Sequence, residues 1–296
     1  MNKIITTTII ACITLAYAGA GDAGAAFIKI PVDARVVGMG EASAAYVNNA
    51  SALYYNPAGL SEIESVDLLF MHNVWLLGMS HEYAALAFAI GNIGTFGLAF
   101  NYWGSGSIPV ITIRGDSTGN TFSASDWTVN IGYGKDFGSL AFGAGLKYLS
   151  EKNEDFSSSA MAFDFGLMYD LPIKGLQTGI SLSNLGTSVE LDQESFPLPT
   201  LIRLGWKYNL QRLGFAQDFI ICSSDKFGIA LGAEYWVVEI MALRFGYRTG
   251  SGAGGLSGLR AGLGVCFKDF GLDYAVAPYG QLGLTHRFSL SFKIIK

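Results

Sequence analysis

Met161-Ala162-Phe163-Asp164-Phe165-Gly166-Leu167-Met168-Tyr169 is the stretch that decides the fold. Large apolar residues occupy the odd positions, with Ala162, Asp164 and Gly166 between them. A period of two puts successive side chains on opposite faces of a strand. The same alternation runs through Phe96, Leu98, Phe100 and Tyr102, and again through Trp127, Val129, Ile131 and Tyr133. Leu140, Phe142, Ala144, Leu146 and Tyr148 repeat it against Gly143, Gly145 and Lys147. It recurs in the segments 202–208, 227–235, 241–247, 259–267 and 288–294. One face is apolar throughout, while the other carries glycine, serine and scattered ions.

That asymmetry separates two all-β architectures. A sandwich turns its apolar faces inward and coats its outside with charge. Here 50% of the 296 residues are hydrophobic and only 15% are charged, against about 25% in an ordinary soluble domain. Mean hydropathy is +0.35, yet beyond the first twenty residues no apolar run approaches the ~18–20 residues of a spanning helix. A chain with its apolar face in lipid and its small and ionic face in a lumen satisfies both facts. The expected fold is therefore all-β, a transmembrane antiparallel β-barrel of about fourteen strands over residues 62–296. The strands are expected to begin near 64, 78, 93, 123, 138, 158, 174, 198, 214, 226, 239, 256, 270 and 280. Tight turns alternate with longer polar connections at 103–122, 150–158, 186–197 and 249–256, the asymmetry of outer-membrane barrels. Both termini should then lie on the periplasmic side. Aromatic pairs such as Tyr102-Trp103 and Tyr235-Trp236 fall at strand ends, where a headgroup-level girdle is expected. The outer face should reject charge, and Gly143→Ser on the inner face should be mild.

Residues 1–20 read as a secretory signal, with Lys3 before an apolar run and small residues at Ala16, Ala18 and Ala20. That leaves Cys222 and Cys266 in the mature chain, too few for a disulfide framework. A net charge of −5 offers no basic patch for nucleic acid. Outer-membrane lipid is the expected surrounding, and the cell outer membrane the expected location.

Residues 21–61 do not alternate. Val36, Val37, Met39, Leu53, Tyr54 and Tyr55 are too apolar to hang in water, so the segment is expected to fold into the lumen as a plug. Asn56 before Pro57 is a good helix start, a side-chain cap followed by a residue whose missing N–H costs nothing there. The runs Ala34-Arg35-Val36-Val37-Gly38-Met39-Gly40 and Asn49-Ala50-Ser51-Ala52-Leu53-Tyr54-Tyr55-Asn56-Pro57-Ala58-Gly59-Leu60 resemble the opening of the PorV/PorQ family, within the wider FadL-like group of outer-membrane barrels. Met71-His72-Asn73-Val74-Trp75 with His81-Glu82-Tyr83 is similar to that family's first hairpin, and the segment 283–291 to its last strand. The resemblance implies fourteen strands and an N-terminal hatch whose motif is Asn56, Pro57, Ala58 and Gly59.

Motifs for catalysis are weak. Gly115-Asp116-Ser117-Thr118-Gly119 matches a nucleophile-elbow pattern but lacks the strand-to-helix context that strains the serine. The run 250–255 matches a dinucleotide-binding glycine pattern but precedes a strand, which makes it a hairpin loop. His72, His81 and His286 have no metal-ligand spacing. No catalytic residue, metal or cofactor is expected. The candidate lumen-lining charges are Asp164, Arg203, Glu234, Arg244, Arg248, Arg260, Asp273 and Arg287, which either pair with one another and the hatch or line a conduit. The PorV/PorQ resemblance implies an accessory barrel of type IX-like protein secretion or surface attachment, with a translocon and secreted cargo as partners. The alternative is a FadL-like channel for small hydrophobic compounds, with the hatch controlling their uptake.

Overall fold

The computed structural model describes residues 23–154, 156–191, 194–225, 227–250 and 256–294. The expected signal at 1–20 and most of the glycine-rich run 250–255 lie outside these residues. Fourteen antiparallel strands close into one barrel. They are β1 (Val66–Val74), β2 (Ser80–Ile90), β3 (Gly94–Gly104), β4 (Ala124–Asp136), β5 (Leu140–Asn153), β6 (Phe156–Asp170) and β7 (Leu176–Gly186). There follow β8 (Leu201–Leu210), β9 (Leu213–Cys222), β10 (Gly228–Val238), β11 (Met241–Arg248), β12 (Leu259–Phe267), β13 (Phe270–Pro278) and β14 (Leu284–Ile294). β1 pairs with β14 along nine residues, from Val66↔Ile294 to Val74↔His286, which closes the wall.

Parity sets the two faces. Along β6, Met161, Phe163, Phe165, Leu167 and Tyr169 are exposed, while Ala160, Ala162, Asp164 and Met168 are buried. Leu98, Phe142, Leu204, Leu231, Leu263 and Leu290 continue the outer apolar band. Every backbone donor in such a wall can find a neighbouring strand, because a closed sheet has no edge. This is a membrane-spanning fold of the outer-membrane kind, with tight turns at one mouth and the longer connections at the other.

Four expectations change. The connection at 150–158 is almost all strand: β5 and β6 pair up to Asn153↔Phe156, so their polar ends continue the ladder beyond the apolar band. The polar loop at 103–122 contains its own hairpin, Ile108–Ile111 against Ser117–Phe122. Ser117 begins an exposed strand of it, with no helix to make a nucleophile elbow. Each aromatic pair is split by parity: Tyr235 is exposed, but Trp236 turns inward and donates to Glu234 at 3.3 Å, and Trp103 packs against inner apolar residues. Finally, the described chain does not start at the tight-turn mouth. Gly24 donates to the Pro197 carbonyl at 3.1 Å, and Lys29 pairs with Asp225 at 3.0 Å, both partners lying in connections at the long-loop mouth. The segment then descends the lumen, and Glu62 reaches Lys207 at the other mouth (3.2 Å).

Candidate functional site

The interior is occupied by residues 24–63. A 3₁₀ turn at Ala26–Lys29, the short helices α1 (Ala34–Gly38) and α2 (Ala52–Tyr55), and a 3₁₀ helix at Pro57–Glu62 make up its regular structure. Asp33 caps α1 by accepting from Arg35 N at 2.9 Å. Its second oxygen accepts from Asn49 Nδ2 and Ser51 Oγ, each at 2.9 Å, which fastens α1 to the turn before α2. Asn56 accepts from Ala58 N at 3.1 Å, and Pro57 occupies the first helical position. The Asn56 amide also donates to the Ala44 carbonyl at 2.5 Å, so one side chain caps a helix and ties two passes of the segment together. Tyr54 donates to the Ile28 and Ile30 carbonyls, and Tyr55 to that of Val32. Burial pushes the Tyr54 hydroxyl above its ordinary range, so it stays protonated and remains a donor.

The wall receives this segment in two ways. Over β4–β7 and β10–β12 the contact is at backbone level, through glycines. A Cβ on Gly143 would stand 2.1 Å from the Pro57 carbonyl carbon, and one on Gly166 1.8 Å from Asn56 Oδ1. One on Gly232 would stand 2.4 Å from Met39 O. The expectation that Gly143→Ser is mild is therefore corrected: the inner face at Gly143 is a seat for Pro57 and has no free space.

Elsewhere, wall side chains accept hydrogen bonds from the segment's backbone. Asp218 on β9 accepts from Ser43 N at 2.7 Å and Ala44 N at 2.9 Å. Asp67 on β1 accepts from Ala50 N at 2.9 Å, and Ser289 on β14 from Ala34 N at 2.8 Å. The Ala34 N–H is one that the first turn of a helix leaves unpaired, and the others lie outside the helices, where the segment gives them no ladder.

All eight candidate charges face the interior and are buried or nearly so. Three of them form a chain: Arg244 bridges Glu234 and Asp273, each at 2.6 Å. Glu234 also accepts from Tyr46 at 2.9 Å, which joins the chain to the segment. Arg248 and Arg260 converge on Glu41 of the segment, Arg260 at 3.6 Å. Arg203 lies 5.7 Å from the Tyr55 ring centroid. Asp164 is apart from these, paired with Lys147 at 3.1 Å and accepting from Asn184 N at 2.7 Å. Arg287 has no carboxylate within salt-bridge distance among the described residues. Asp67, Asp218 and Lys147 were missed as site residues, although strand parity places each on the inner face. Glu41 carried no periodic signal, because it lies in the aperiodic segment.

No group of three or more His, Cys, Asp or Glu residues able to hold a metal occurs among the described residues. Cys222 and Cys266 are free thiols. Cys222 ends β9 at the long-loop mouth and Cys266 lies near the end of β12 at the tight-turn mouth, three strands away.

Fold and interior together define a fourteen-stranded transmembrane barrel with a lumen-filling N-terminal segment. Among solved structures, the chain is similar to the Pseudomonas putida toluene transporter TodX, with a TM-score of 0.60 and 12% identity over 86% of this chain and 95% of that one. It is similar also to the Ralstonia pickettii toluene transporter TbuX, with a TM-score of 0.58 and 13% identity over 87% and 97%. A TodX deltaS2S3 mutant, described as a monoaromatic hydrocarbon channel, gives 0.61 and 14% over 88% and 98%. At such identities the likeness is one of fold. No family model matches the sequence. No curated protein matches it either.

Proposed function

We propose that the protein is a FadL-type outer-membrane channel that admits small molecules when the plug at residues 24–63 shifts. The observation that carries this reading is the way the plug is held. It fills the lumen from one mouth to the other, yet hydrogen bonds, ion pairs and packing alone attach it, apart from the chain itself at 64–65. A fourteen-stranded wall lies between the side-chain-filled eight-stranded barrels and the open sixteen-stranded porins, so removing the plug leaves an aqueous path. The toluene transporters share this architecture and support the same class. For a hydrophobic solute, the buried apolar cluster of Phe27, Ile28, Leu149, Val189 and Leu198 near the long-loop mouth would come into reach as the plug shifts. Signal, lipid band and loop asymmetry together support export to the outer membrane with the long loops outward.

Planar-bilayer conductance tests the proposal. Deleting residues 27–60 should give large steady openings that the intact protein lacks. Equal conductance with and without residues 27–60 would remove the plug from the reading.

A second reading, the PorV/PorQ-type secretion accessory, draws on the N-terminal motif resemblance and on one surface feature. The hairpin at 108–122 projects at the long-loop mouth with Ile111 and Ile113 exposed, an apolar tip suited to a protein partner. Lost secretion with intact solute uptake on replacing both isoleucines by Ser would favour this reading over the channel.

A further inference from the structure

The inner wall is not uniformly matched to the plug. Among the described residues, sixteen buried side-chain nitrogen and oxygen atoms have no hydrogen-bond partner. Nine of them belong to five consecutive strands: Arg287 Nε and Nη2 on β14, both amide atoms of Asn73 on β1, His81 Nδ1 and Tyr83 OH on β2, Trp103 Nε1 on β3, and both amide atoms of Asn130 on β4. Four of these residues form one cross-strand row, Arg287↔Asn73↔His81↔Trp103, near the long-loop mouth. Directly opposed residues of antiparallel strands have Cβ atoms about 4.5–5.5 Å apart, so the row is a contiguous patch. Buried polar groups are nearly always bonded; a cluster of exceptions on one wall needs a reason.

The plug supplies no partners there. Tyr54 approaches Tyr83 with ring centroids 6.3 Å apart, but the hydroxyls of Tyr54 and Tyr55 are both spent on the plug's own carbonyls. On the opposite side of the lumen the plug bonds directly to Asp218 and Glu234. Above the row, Trp75 and Tyr279 from the two adjacent short loops touch edge to face at 5.0 Å. They cover it from the mouth.

We propose that this row is a solute site for a small hydroxylated organic anion, of the sugar-acid or hydroxy-acid class, occupied when the plug's tyrosines swing away. The proposal rests on the channel reading and names its solute. The chemistry follows from the unfilled valences. Arg287 presents two N–H groups to an anion and has no carboxylate of its own. His81 Nε2 donates to Asn101 Oδ1 at 2.5 Å, since that oxygen can only accept, so Nδ1 is left as an acceptor. With the Asn73 carbonyl oxygen it asks for hydroxyl donors. The Asn73 amide nitrogen and the Trp103 indole offer donors in return. A purely apolar solute would leave every one of these atoms unbonded, and a simple carboxylate would leave the acceptors unbonded.

The test uses the full-length refolded protein, with gluconate as probe and sorbitol and hexanoate as comparisons, read by isothermal titration. Gluconate should bind at least tenfold more tightly than either. Arg287→Gln should weaken gluconate at least tenfold while raising the unfolding temperature of the empty protein, because it removes an unpaired buried charge. Asn73→Leu should weaken gluconate without loss of heat-modifiable gel mobility. Hexanoate binding as tightly as gluconate, or Arg287→Gln leaving gluconate affinity unchanged in a folded protein, overturns the proposal. Liposome swelling separates the site from the channel. Gluconate that binds but does not permeate sinks the channel reading and leaves the site. Permeation with wild-type affinity in Arg287→Gln does the reverse.

Discussion

Two sectors of one wall treat the same plug differently. Along β4–β7 a row of glycines interrupts the inner face, and the plug backbone lies against it closer than a Cβ would allow. Along β14 and β1–β3, near the long-loop mouth, the wall keeps polar side chains to which the plug gives no partners. Close packing and satisfied polarity are both stabilising; the first sector has the one, and the second lacks the other. The lesson is that a lumen plug is not embedded evenly. It is seated on one side and merely apposed on the other, and the apposed side is where it has least to lose by moving.

Substitutions should expose that difference. The largest effect belongs to the face that both sectors share, the lipid side: Phe165→Arg and Leu263→Arg should each cost about 2–4 kcal/mol if near the bilayer midplane, seen as lost heat-modifiable mobility. If these variants fold as well as wild type, the two faces have been exchanged and the comparison collapses. In the seated sector, Gly143→Ser should cost about 1–3 kcal/mol by overpacking against Pro57 and should free the plug to protease. Undiminished protection of the plug in that variant would mean that it does not sit on the glycines. Asp218→Ala, which strips the acceptor from Ser43 N and Ala44 N, should cost about 1–3 kcal/mol by orphaning buried donors, again seen as faster proteolysis of the plug. The apposed sector should respond with the opposite sign: Asn73→Leu should be neutral or slightly stabilising in thermal unfolding, since neither amide atom has a bond to lose. The smallest effect is at the cysteines. Cys222 and Cys266 should alkylate fully in the denatured, unreduced protein.

Much of this is legible in the sequence. The strand count and the strand starts came from alternation, and the observed starts fall within four residues of those expected. β2 is the weakest of these, because small Ala84, Ala85 and Ala87 blur the contrast between its faces. All eight inward charges could be read from parity. Their partners could not. Arg244 meets Glu234 and Asp273, one strand away on one side and two on the other, while Asp164 meets Lys147 on an adjacent strand. Choosing between such pairings needs the register. Nor did parity reveal that Gly143 carries the plug, because a glycine facing empty lumen and one facing a backbone look identical in sequence.

What the sequence determined by itself is the wall: which residues face lipid, how many strands there are, and which mouth has the tight turns. Those properties are periodic, and a period of two is written into every ten-residue segment. What only the tertiary structure decided is the interior. The course of residues 24–63, their arrival at the long-loop mouth, the glycine seat under Pro57 and the unpartnered row at Arg287 all depend on where an aperiodic segment comes to rest inside a closed cylinder. Many of its neighbours there are far along the chain: Gly143 is 86 residues from Pro57 and Asp218 is 174 from Ala44. No local pattern can encode a contact at that range; close packing and strand register select it once the barrel has closed.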